Sequence, residues 1–448
     1  MSSTEITPLE KLNALVASGT YSQIKNLIDI LKPADIAALL ESTPFEQRAV
    51  IWNLIDNEQK SEILQELNED LVSDLLADTS TDEVVSLLGQ VESDDDLTDI
   101  LQQLPNAITQ QLLRSMDTQD RARVENLLSY GEDTAGGMMD TDTISVRARV
   151  TVDVVLRYLR RHIELPAMTD NIFVVNHRDE YIGLLPLRRL LVSDPSMTVR
   201  EVMVTDIDPI DAKTHESEVA SIFSRYDLVS APVIDSNGLL LGRITIDDVV
   251  DVIKDEADHS LLSMAGLTED DDTFAPIWRS ARSRAVWLGA NLLTAFLASA
   301  VISLFEDTIA QVVALAVLMP IVASMGGVAG SQTLTLVIRS MAQGQLVDSN
   351  MLWILRRELA VGIINGAVWA VVVAIGAYLV FDDFTLGLVI AIALLINLAV
   401  AAFSGATLPR MLQKLNIDPA VAGTVVLTTI TDVVGFMSFL GLATLFYT

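Results

Sequence analysis

One carboxylate, Asp432, lies in the apolar stretch VVLTTITDVVGFMSF, which runs from Val425 to Phe439. In a helix, Thr424, Thr428 and Asp432 are spaced by four residues and project to the same side. A charge at membrane depth is costly and usually faces a cavity or a partner. Hydroxyl and carbonyl oxygens beside the carboxylate could accept hydrogen bonds from the water around a cation. The alternative is a protonated Asp432 that is hydrogen-bonded between helices.

Five apolar stretches approach or exceed the roughly 20 residues that cross a bilayer. They lie at about 286–305, 309–330, 359–380, 385–408 and 421–447. Basic residues precede the first stretch and connect the second to the third and the fourth to the fifth, whereas acidic residues fill the other two connections. Because basic residues mark the cytoplasmic side, we expect a multi-pass protein of the inner (plasma) membrane, with its N-terminal part in the cytoplasm and its C-terminus outside. None of the five stretches contains a basic residue, so Asp432 has no obvious ion-pair partner within the membrane.

Two glycine patterns bear on how these helices pack. Gly362 and Gly366 in GIING lie four residues apart and predict a close contact with another helix. Pro320 and the segment SMGGVAGSQT predict a break near the end of the second stretch. Such a break either lines a water-filled cavity or is a helix end with a glycine cap.

Acidic residues are concentrated before the membrane stretches. The chain of 448 residues has a formal net charge of −31, although half of it is hydrophobic. From Ala285 onward there are 8 acidic and 5 basic residues, which leaves 52 and 24 in the front part and places about −28 of the charge there. This balance argues against nucleic acid as a partner. The chain has no cysteine, which excludes disulfides, and its start lacks the pattern of a cleaved signal peptide.

The front part contains two kinds of pattern. Up to about residue 130, short segments with apolar residues at spacings of three and four predict stacked helical hairpins in a small superhelix. Residues 171–191 and 230–253 then repeat one plan of strand, turn, strand and helix, and matching residues are offset by 59.

The second of these repeats resembles the end of a CBS domain, whose G-x-x-T-x-x-D is supplied here by Gly242, Thr245 and Asp248. The first repeat has Pro186 where the threonine would be. The resemblance implies a ligand-sensing pair and at most one adenine-nucleotide (ATP) site, with Thr245 and Asp248 at the ribose. An aspartate after a strand is also a good helix cap, so a purely structural role for Asp248 is the alternative.

Across its whole length, the chain resembles the MgtE family of magnesium channels and transporters. The resemblance rests on the order of EDTAGGMM (132–139), the CBS end, GGVAGSQT (326–333), LPRMLQKLNIDPAVA (408–422) and TTITDVVGF (428–436). It implies a multidomain fold: an all-α superhelical N-terminal domain, tandem α/β CBS domains and an all-α membrane domain of five helices. The expected boundaries are 1–130 for the helical domain, 131–200 and 201–252 for the CBS repeats, 253–280 for a connecting helix, and 281–448 for the membrane domain.

The resemblance also implies a homodimer with one pore between its subunits and no enzymatic activity. Asp432, with Thr428 and Thr424, would then face the pore and hold hydrated Mg²⁺, which is both substrate and regulator. This chain departs from the family at Val328, where asparagine is common, and after DPA (418–420), where a proline is missing. Selectivity for Mn²⁺ or Co²⁺ on the same architecture is therefore the alternative.

Regulation by cytoplasmic Mg²⁺ at acidic interfaces is a further implication of the family. The segments ESDDDLTD and IDDVVDVIKDEAD supply most of the candidate carboxylates. The candidates are Asp95, Asp96, Asp99, Glu218, Asp227, Asp248, Asp251 and Glu256. Mg²⁺ between such groups would remove their repulsion and favour a closed state, to the extent that it binds that state more tightly.

Three other classes of protein compete with this reading. All four histidines precede the apolar stretches, which argues against a zinc enzyme in the membrane. A CBS-gated anion transporter is the second alternative. Anion pores favour rings of basic residues, whereas the pore candidate Asp432 is acidic. A CBS-based membrane sensor without transport is the third alternative, although five stretches are more than an anchor needs.

Overall fold

The computed structural model describes residues 21–77, 79–91, 93–162, 165–267, 273–347, 349–415 and 417–447. They divide into two compact units. The N-terminal unit extends to Ala257 and includes residues 272–276, and the membrane unit consists of residues 258–271 and 277–448.

The N-terminal unit begins with a stack of short helices. Its described helices are α1 (Tyr21–Ile28), α2 (Pro33–Glu41), α3 (Phe45–Trp52), α4 (Asn57–Gln65), α5 (Glu69–Ala77), α6 (Thr81–Leu88), α7 (Asp94–Gln103), α8 (Asn106–Ser115) and α9 (Thr118–Leu127). From α2 to α9, each helix packs against the next but one along the chain. Ile36, Leu64 and Leu88 are among the residues of the continuous apolar core. This arrangement confirms the predicted superhelix.

Two α/β repeats complete the N-terminal unit. The first contains β1 (Ser145–Arg147), α10 (Val152–Leu159), β2 (Asn171–Val175), β3 (Tyr181–Pro186), α11 (Leu187–Val192) and α12 (Val199–Val202). The second contains β4 (Ile210–Asp211), α13 (Glu216–Tyr226), β5 (Ser230–Ile234), β6 (Leu240–Thr245) and the start of α14 (Ile246–Met264). Each sheet has a parallel pair followed by an antiparallel pair. Val174 pairs with Gly183 and Val233 with Gly242, so the register also repeats at 59 residues.

The segment before β1 is anchored on the second sheet. Asp140 and Arg243 exchange backbone hydrogen bonds of 2.8 and 2.9 Å. Gly137 is required by close packing, because a Cβ there would lie 2.6 Å from the carbonyl oxygen of Gly131. These contacts explain the glycine pair in EDTAGGMM and place Asp140 beside the end of β6.

Among its described residues, the membrane unit has five helices that are long and apolar enough to cross a bilayer. They are α15 (Ile277–Ser303), α17 (Ala314–Ala342), α18 (Met351–Phe381), α19 (Phe384–Lys414) and α20 (Pro419–Tyr447), and the short α16 (Glu306–Gln311) follows α15. Helix α19 packs against α17, α18 and α20 and is the most buried of the five. Gly362 confirms the predicted close contact, because a Cβ there would lie 2.6 Å from the Cβ of Ala402 on α19.

The predicted break at SMGGVAGSQT is wrong, because α17 continues through it to Ala342. Its buried glycines serve helix packing instead. A Cβ on Gly330 would lie 3.0 Å from the side chain of Leu427, and one on Gly405 would lie 2.8 Å from the carbonyl oxygen of Gly330. Packing of this glycine face against α19 and α20 stabilises the helix enough to outweigh the low helix propensity of glycine.

The connecting segment also differs from the single helix predicted up to about Ser280. Helix α14 begins directly after β6 and ends at Met264, and α15 begins only at Ile277. The Leu267 N–H donates to the Leu262 carbonyl over 3.0 Å, and Gly266 has a φ of +73°. These are features of a glycine-terminated helix end. Residues 268–272 lie outside the described part of the chain.

Candidate cation sites

Helix α20 presents two neighbouring faces within the membrane unit. Gly423, Leu427 and Thr431 are buried against the rest of the unit. Thr424, Thr428 and Asp432 lie on the adjacent side and are half-buried. The four-residue spacing therefore brings the three predicted pore residues onto one edge of the helix.

Thr428 and Asp432 both offer acceptor oxygens on this edge. The Thr428 hydroxyl donates to the carbonyl oxygens of Thr424 and Val425, at 3.0 and 3.1 Å, which leaves its oxygen free to accept. In the described part of the chain, the Asp432 carboxylate has no hydrogen-bond or ion-pair partner, so no neighbouring helix supports the hydrogen-bonded alternative. Acceptor oxygens without donors suit a cation or its water.

A second acid, Glu358, lies in one of the long helices, although the third apolar stretch was drawn only from residue 359. Helix α18 begins earlier, at Met351, and Glu358 is only 4% exposed within it. The Thr333 hydroxyl donates to its carboxylate over 3.3 Å, and Arg357 forms an ion pair with it. Glu358, unlike Asp432, therefore has its partners within the protein.

The N-terminal unit brings acids from three segments into one acidic cluster, defined as Asp95, Asp96, Asp140, Asp247 and Asp248. Ser93 caps α7 by accepting from the Asp96 N–H at 3.3 Å, which fixes Asp95 and Asp96 in the first turn. Asp248 accepts from the N–H and the hydroxyl of Thr245, at 3.4 and 3.2 Å, at the start of α14. Asp140 enters from the segment that pairs with Arg243. Sequence reasoning missed Asp140, although it directly follows EDTAGGMM.

Burial and mutual repulsion raise the pKa values of three residues in this cluster. Burial, and then the charge of Asp96, raises the pKa of Asp95 to about 7. Burial, and then the charges of Asp95 and Asp247, raises the pKa of Asp248 to about 8. The pKa of Asp96 rises to about 6, mainly through burial, with Glu66, Asp247 and Asp140 adding to the rise. The cluster therefore holds protons near neutral pH.

Two arginines neutralise only the rim of the cluster. The Arg243 guanidinium lies 3.0 Å from the Asp140 carboxylate and also donates to the carbonyl oxygen of Ala167. Arg123 lies 2.9 Å from Asp94. In the described part of the chain, Asp95, Asp96, Asp247 and Asp248 have no basic partner. No three acidic or histidine side chains among the described residues are placed close enough to hold a metal ion as they stand.

A smaller acidic group lies around the start of α13. Burial raises the pKa of Glu216, and Asp133, Glu256 and Asp255 raise it further, whereas His215 opposes the shift. Of the predicted regulatory acids, this group includes Glu256, and the acidic cluster includes Asp95, Asp96 and Asp248. Glu218, Asp227 and Asp251 are exposed, and Asp99 lies one turn beyond the cap of α7, partly exposed.

Thr245 and Asp248, the predicted nucleotide residues, have a structural role. Thr245 is 5% exposed, and its hydroxyl donates to the carboxylates of Asp247 and Asp248. Asp248 therefore has the structural role that was the alternative: from the first turn of α14, its carboxylate caps the start of the helix at Thr245. Nucleotide binding stays a prediction.

Five apolar helices behind an acidic unit with paired α/β repeats define a multi-pass membrane protein with a CBS module. Three family models match the chain in this order: MgtE intracellular N domain over residues 31–133, CBS domain over 199–255, and MgtE, divalent cation transporter, over 319–442. The chain is 31% identical over 443 residues to the magnesium transporter MgtE of Thermus thermophilus, and the match covers 97% of each chain. The chain belongs to the MgtE family of divalent cation transporters.

Other proteins are also similar to this chain. The magnesium transporter MgtE of Bacillus subtilis is 29% identical over 432 residues, which cover 96% of each chain. A solved structure described as the cytosolic domain of the Mg²⁺ channel MgtE in complex with ATP is 32% identical, with a TM-score of 0.48. The match covers 55% of this chain and 99% of that chain.

Proposed function

We propose that this protein carries Mg²⁺ across the plasma membrane through a pore at a homodimer interface lined by Asp432, with its C-terminus outside. The observation that carries the proposal is the half-buried Asp432 carboxylate, which lacks a partner in the described part of the chain and shares its edge of α20 with Thr424 and Thr428. A carboxylate that faced lipid would be strongly unfavourable. A two-fold axis would bring two such carboxylates together.

Hydrated Mg²⁺ fits a pair of carboxylates of this kind. Two carboxylates repel each other unless a cation lies between them. Mg²⁺ gives up its water reluctantly and is bound by one or two carboxylates through its remaining waters. The acceptor oxygens of Thr428 and Thr424 would receive hydrogen bonds from those waters.

The acidic cluster is proposed as the site that senses cytoplasmic Mg²⁺. Four of its carboxylates have no basic partner in the described residues, and the raised pKa values of Asp95, Asp96 and Asp248 reflect burial and repulsion that a divalent cation would relieve. Mg²⁺ would therefore stabilise the arrangement in which α7, the Asp140 segment and α14 are together. We assign this arrangement to the closed state.

Helix α14 is proposed to transmit the closing movement from the acidic cluster to α20. Asp248 lies in its first turn, and from Asp258 onward the chain belongs to the membrane unit. There, His259 Nε2 lies 2.6 Å from the Asp418 carboxylate. Asp418 also accepts from the Ala420 N–H at 2.7 Å, which places the contact at the start of the helix that carries Asp432.

Divalent flux into proteoliposomes tests the proposal, with Mg²⁺, Mn²⁺ and Co²⁺ compared at low and high Mg²⁺ on the cytoplasmic face. We expect Mg²⁺ flux that stops at high cytoplasmic Mg²⁺. Flux of Mn²⁺ or Co²⁺ without Mg²⁺ would keep the pore and transfer the function to those ions, with Val328, which is 56% exposed on α17, as the first residue to examine. Absence of flux for every ion would contradict transport and favour a membrane sensor.

A further inference from the structure

A buried amide, Asn397, lies at the centre of the membrane unit on α19. Its side chain is fully buried, and its Nδ2 donates to the Val322 carbonyl oxygen on α17 over 2.9 Å. Its Oδ1 is also buried and accepts no hydrogen bond in the described part of the chain. A single hydrogen bond therefore orients an amide that is costly to bury among apolar helices.

Two glycines on different helices form a notch around this amide. A Cβ on Gly326 of α17 would lie 2.3 Å from Asn397 Nδ2, and its three nearest atoms would all belong to the Asn397 side chain. A Cβ on Gly435 of α20 would lie 2.8 Å from the same nitrogen and 3.2 Å from Val322 Cγ1. The amide thus occupies space that any side chain at either glycine would take.

The notch lies close to Asp432 along α20. Gly435 follows Asp432 by three residues, a rise of about 4.5 Å in an α-helix. Thr431, directly before Asp432, is fully buried. A shift of α20 against α17 at the notch would therefore displace the Asp432 carboxylate.

We propose that Asn397 is a positioning residue for ion selection, which sets the register of α20 against α17 and thereby the place of the Asp432 carboxylate. This inference rests on the proposed role of Asp432 in the pore. Asn397 itself is fully buried and acts through α20. The hydrogen bond to Val322 fixes the amide in the notch, whereas an apolar side chain of the same branched shape would fill the space without fixing the register.

Asn397→Leu tests the hydrogen bond, with Asn291→Leu, on the exposed side of α15, as the matched control. We expect Asn397→Leu to keep wild-type thermal stability and Mg²⁺ flux. Its ratio of Mg²⁺ to Mn²⁺ flux should fall by about threefold. The control should keep the wild-type ratio. A wild-type ratio in a folded, transporting Asn397→Leu protein would overturn the proposal, because a space-filling role would not move selectivity.

A size exchange tests the notch itself and covers the case in which Asn397→Leu does not fold. Gly326→Ala should lower thermal stability and flux, and adding Asn397→Ala should restore both in part, because it removes the three atoms that the new methyl group meets. The double variant should still show the lowered ion ratio. Failure of this rescue, or a wild-type ratio in the rescued protein, would overturn the proposal. Full flux in Asp432→Asn would instead contradict the pore assignment on which the inference rests.

Discussion

The two units place their unpaired carboxylates in opposite ways. In the membrane unit, Asp432 has no partner among the described residues and shares its edge of α20 with Thr428, whose hydroxyl donates to carbonyl oxygens of the same helix. In the N-terminal unit, Asp95, Asp96, Asp247 and Asp248 crowd together, with bases only at the rim. An isolated carboxylate in an apolar helix can hold a cation weakly and release it. A crowded group of carboxylates repels itself, so a cation that binds there changes the stability of the surrounding arrangement.

This difference suggests that the two sites handle the same ion in different ways: one conducts it and the other senses it. A conducting site must bind weakly enough to let the ion leave. A sensing site must bind one arrangement of the protein more tightly than another. The paired acid Glu358 belongs to neither class, since Arg357 and Thr333 already satisfy it.

Among the variants that still conduct, the largest expected effect comes from removing charge at the sensing site. Asp95→Asn combined with Asp248→Asn should leave the pore open at cytoplasmic Mg²⁺ levels that close the wild type, with a shift of about 100-fold in the closing concentration. Proteoliposome flux against cytoplasmic Mg²⁺ measures it. Glu125→Gln, at an exposed position on α9, is the matched control and should close normally. Normal closure in the double variant would remove the cluster from the sensor.

The Mg²⁺ concentration that closes the pore should depend on pH by about tenfold. The folded N-terminal unit binds protons at Asp95, Asp96 and Asp248 more tightly than the unfolded chain, because their pKa values rise from near 4 to about 7, 6 and 8. Without Mg²⁺, its stability should therefore fall as the pH rises from about 4 to 8. Mg²⁺ displaces these protons, so the closing Mg²⁺ concentration should fall about tenfold between pH 6 and pH 8.

Thermal melts of the full-length protein at pH 6 and pH 8, with and without Mg²⁺, measure the stability part of this prediction. Flux titrations at the same two pH values measure the affinity part. Stabilisation by Mg²⁺ should be larger at pH 8. Equal stabilisation at both pH values would mean that the raised pKa values do not belong to the Mg²⁺ site.

The smallest expected effect concerns the choice of ion at the pore. Val328 is exposed on α17 and replaces the asparagine common in the family. Val328→Asn should raise the Mg²⁺ to Mn²⁺ flux ratio by about threefold, because an amide offers ion-bound water both a donor and an acceptor. Val317→Asn, also exposed on α17, is the matched control and should leave the ratio unchanged. A ratio that moves equally in both variants would assign the effect to the helix surface in general.

Much of the fold could be predicted because its signals are local. The strands of the two repeats follow short apolar runs that contain β-branched residues, and their offset of 59 residues reappears in the hydrogen-bond register. The membrane helices follow apolar runs, but their ends do not. Charged residues such as Glu358 and Arg357 lie inside α18, because a helix continues beyond its apolar part when caps and partners satisfy the ends.

The parts that could not be predicted depend on contacts between distant segments. Gly326 and Gly330 were taken to break a helix, since nothing local reveals that Asn397 and Leu427 pack against them. Asp140 joins Asp95 and Asp248 only through its pairing with Arg243, 103 residues away. Asp432, by contrast, was recognisable at once, because a lone acid in an apolar helix is itself an unusual local signal.

Mg²⁺ flux through Asp432→Asn, at low cytoplasmic Mg²⁺ where the wild type is open, tests the central claim most directly. Asp382→Asn makes the same chemical change at an exposed residue with a φ of +52°, which asparagine tolerates, and is the matched control. The account predicts that Asp432→Asn loses flux at every Mg²⁺ concentration while keeping wild-type thermal stability, and that Asp382→Asn transports normally. Wild-type flux through Asp432→Asn would contradict the account.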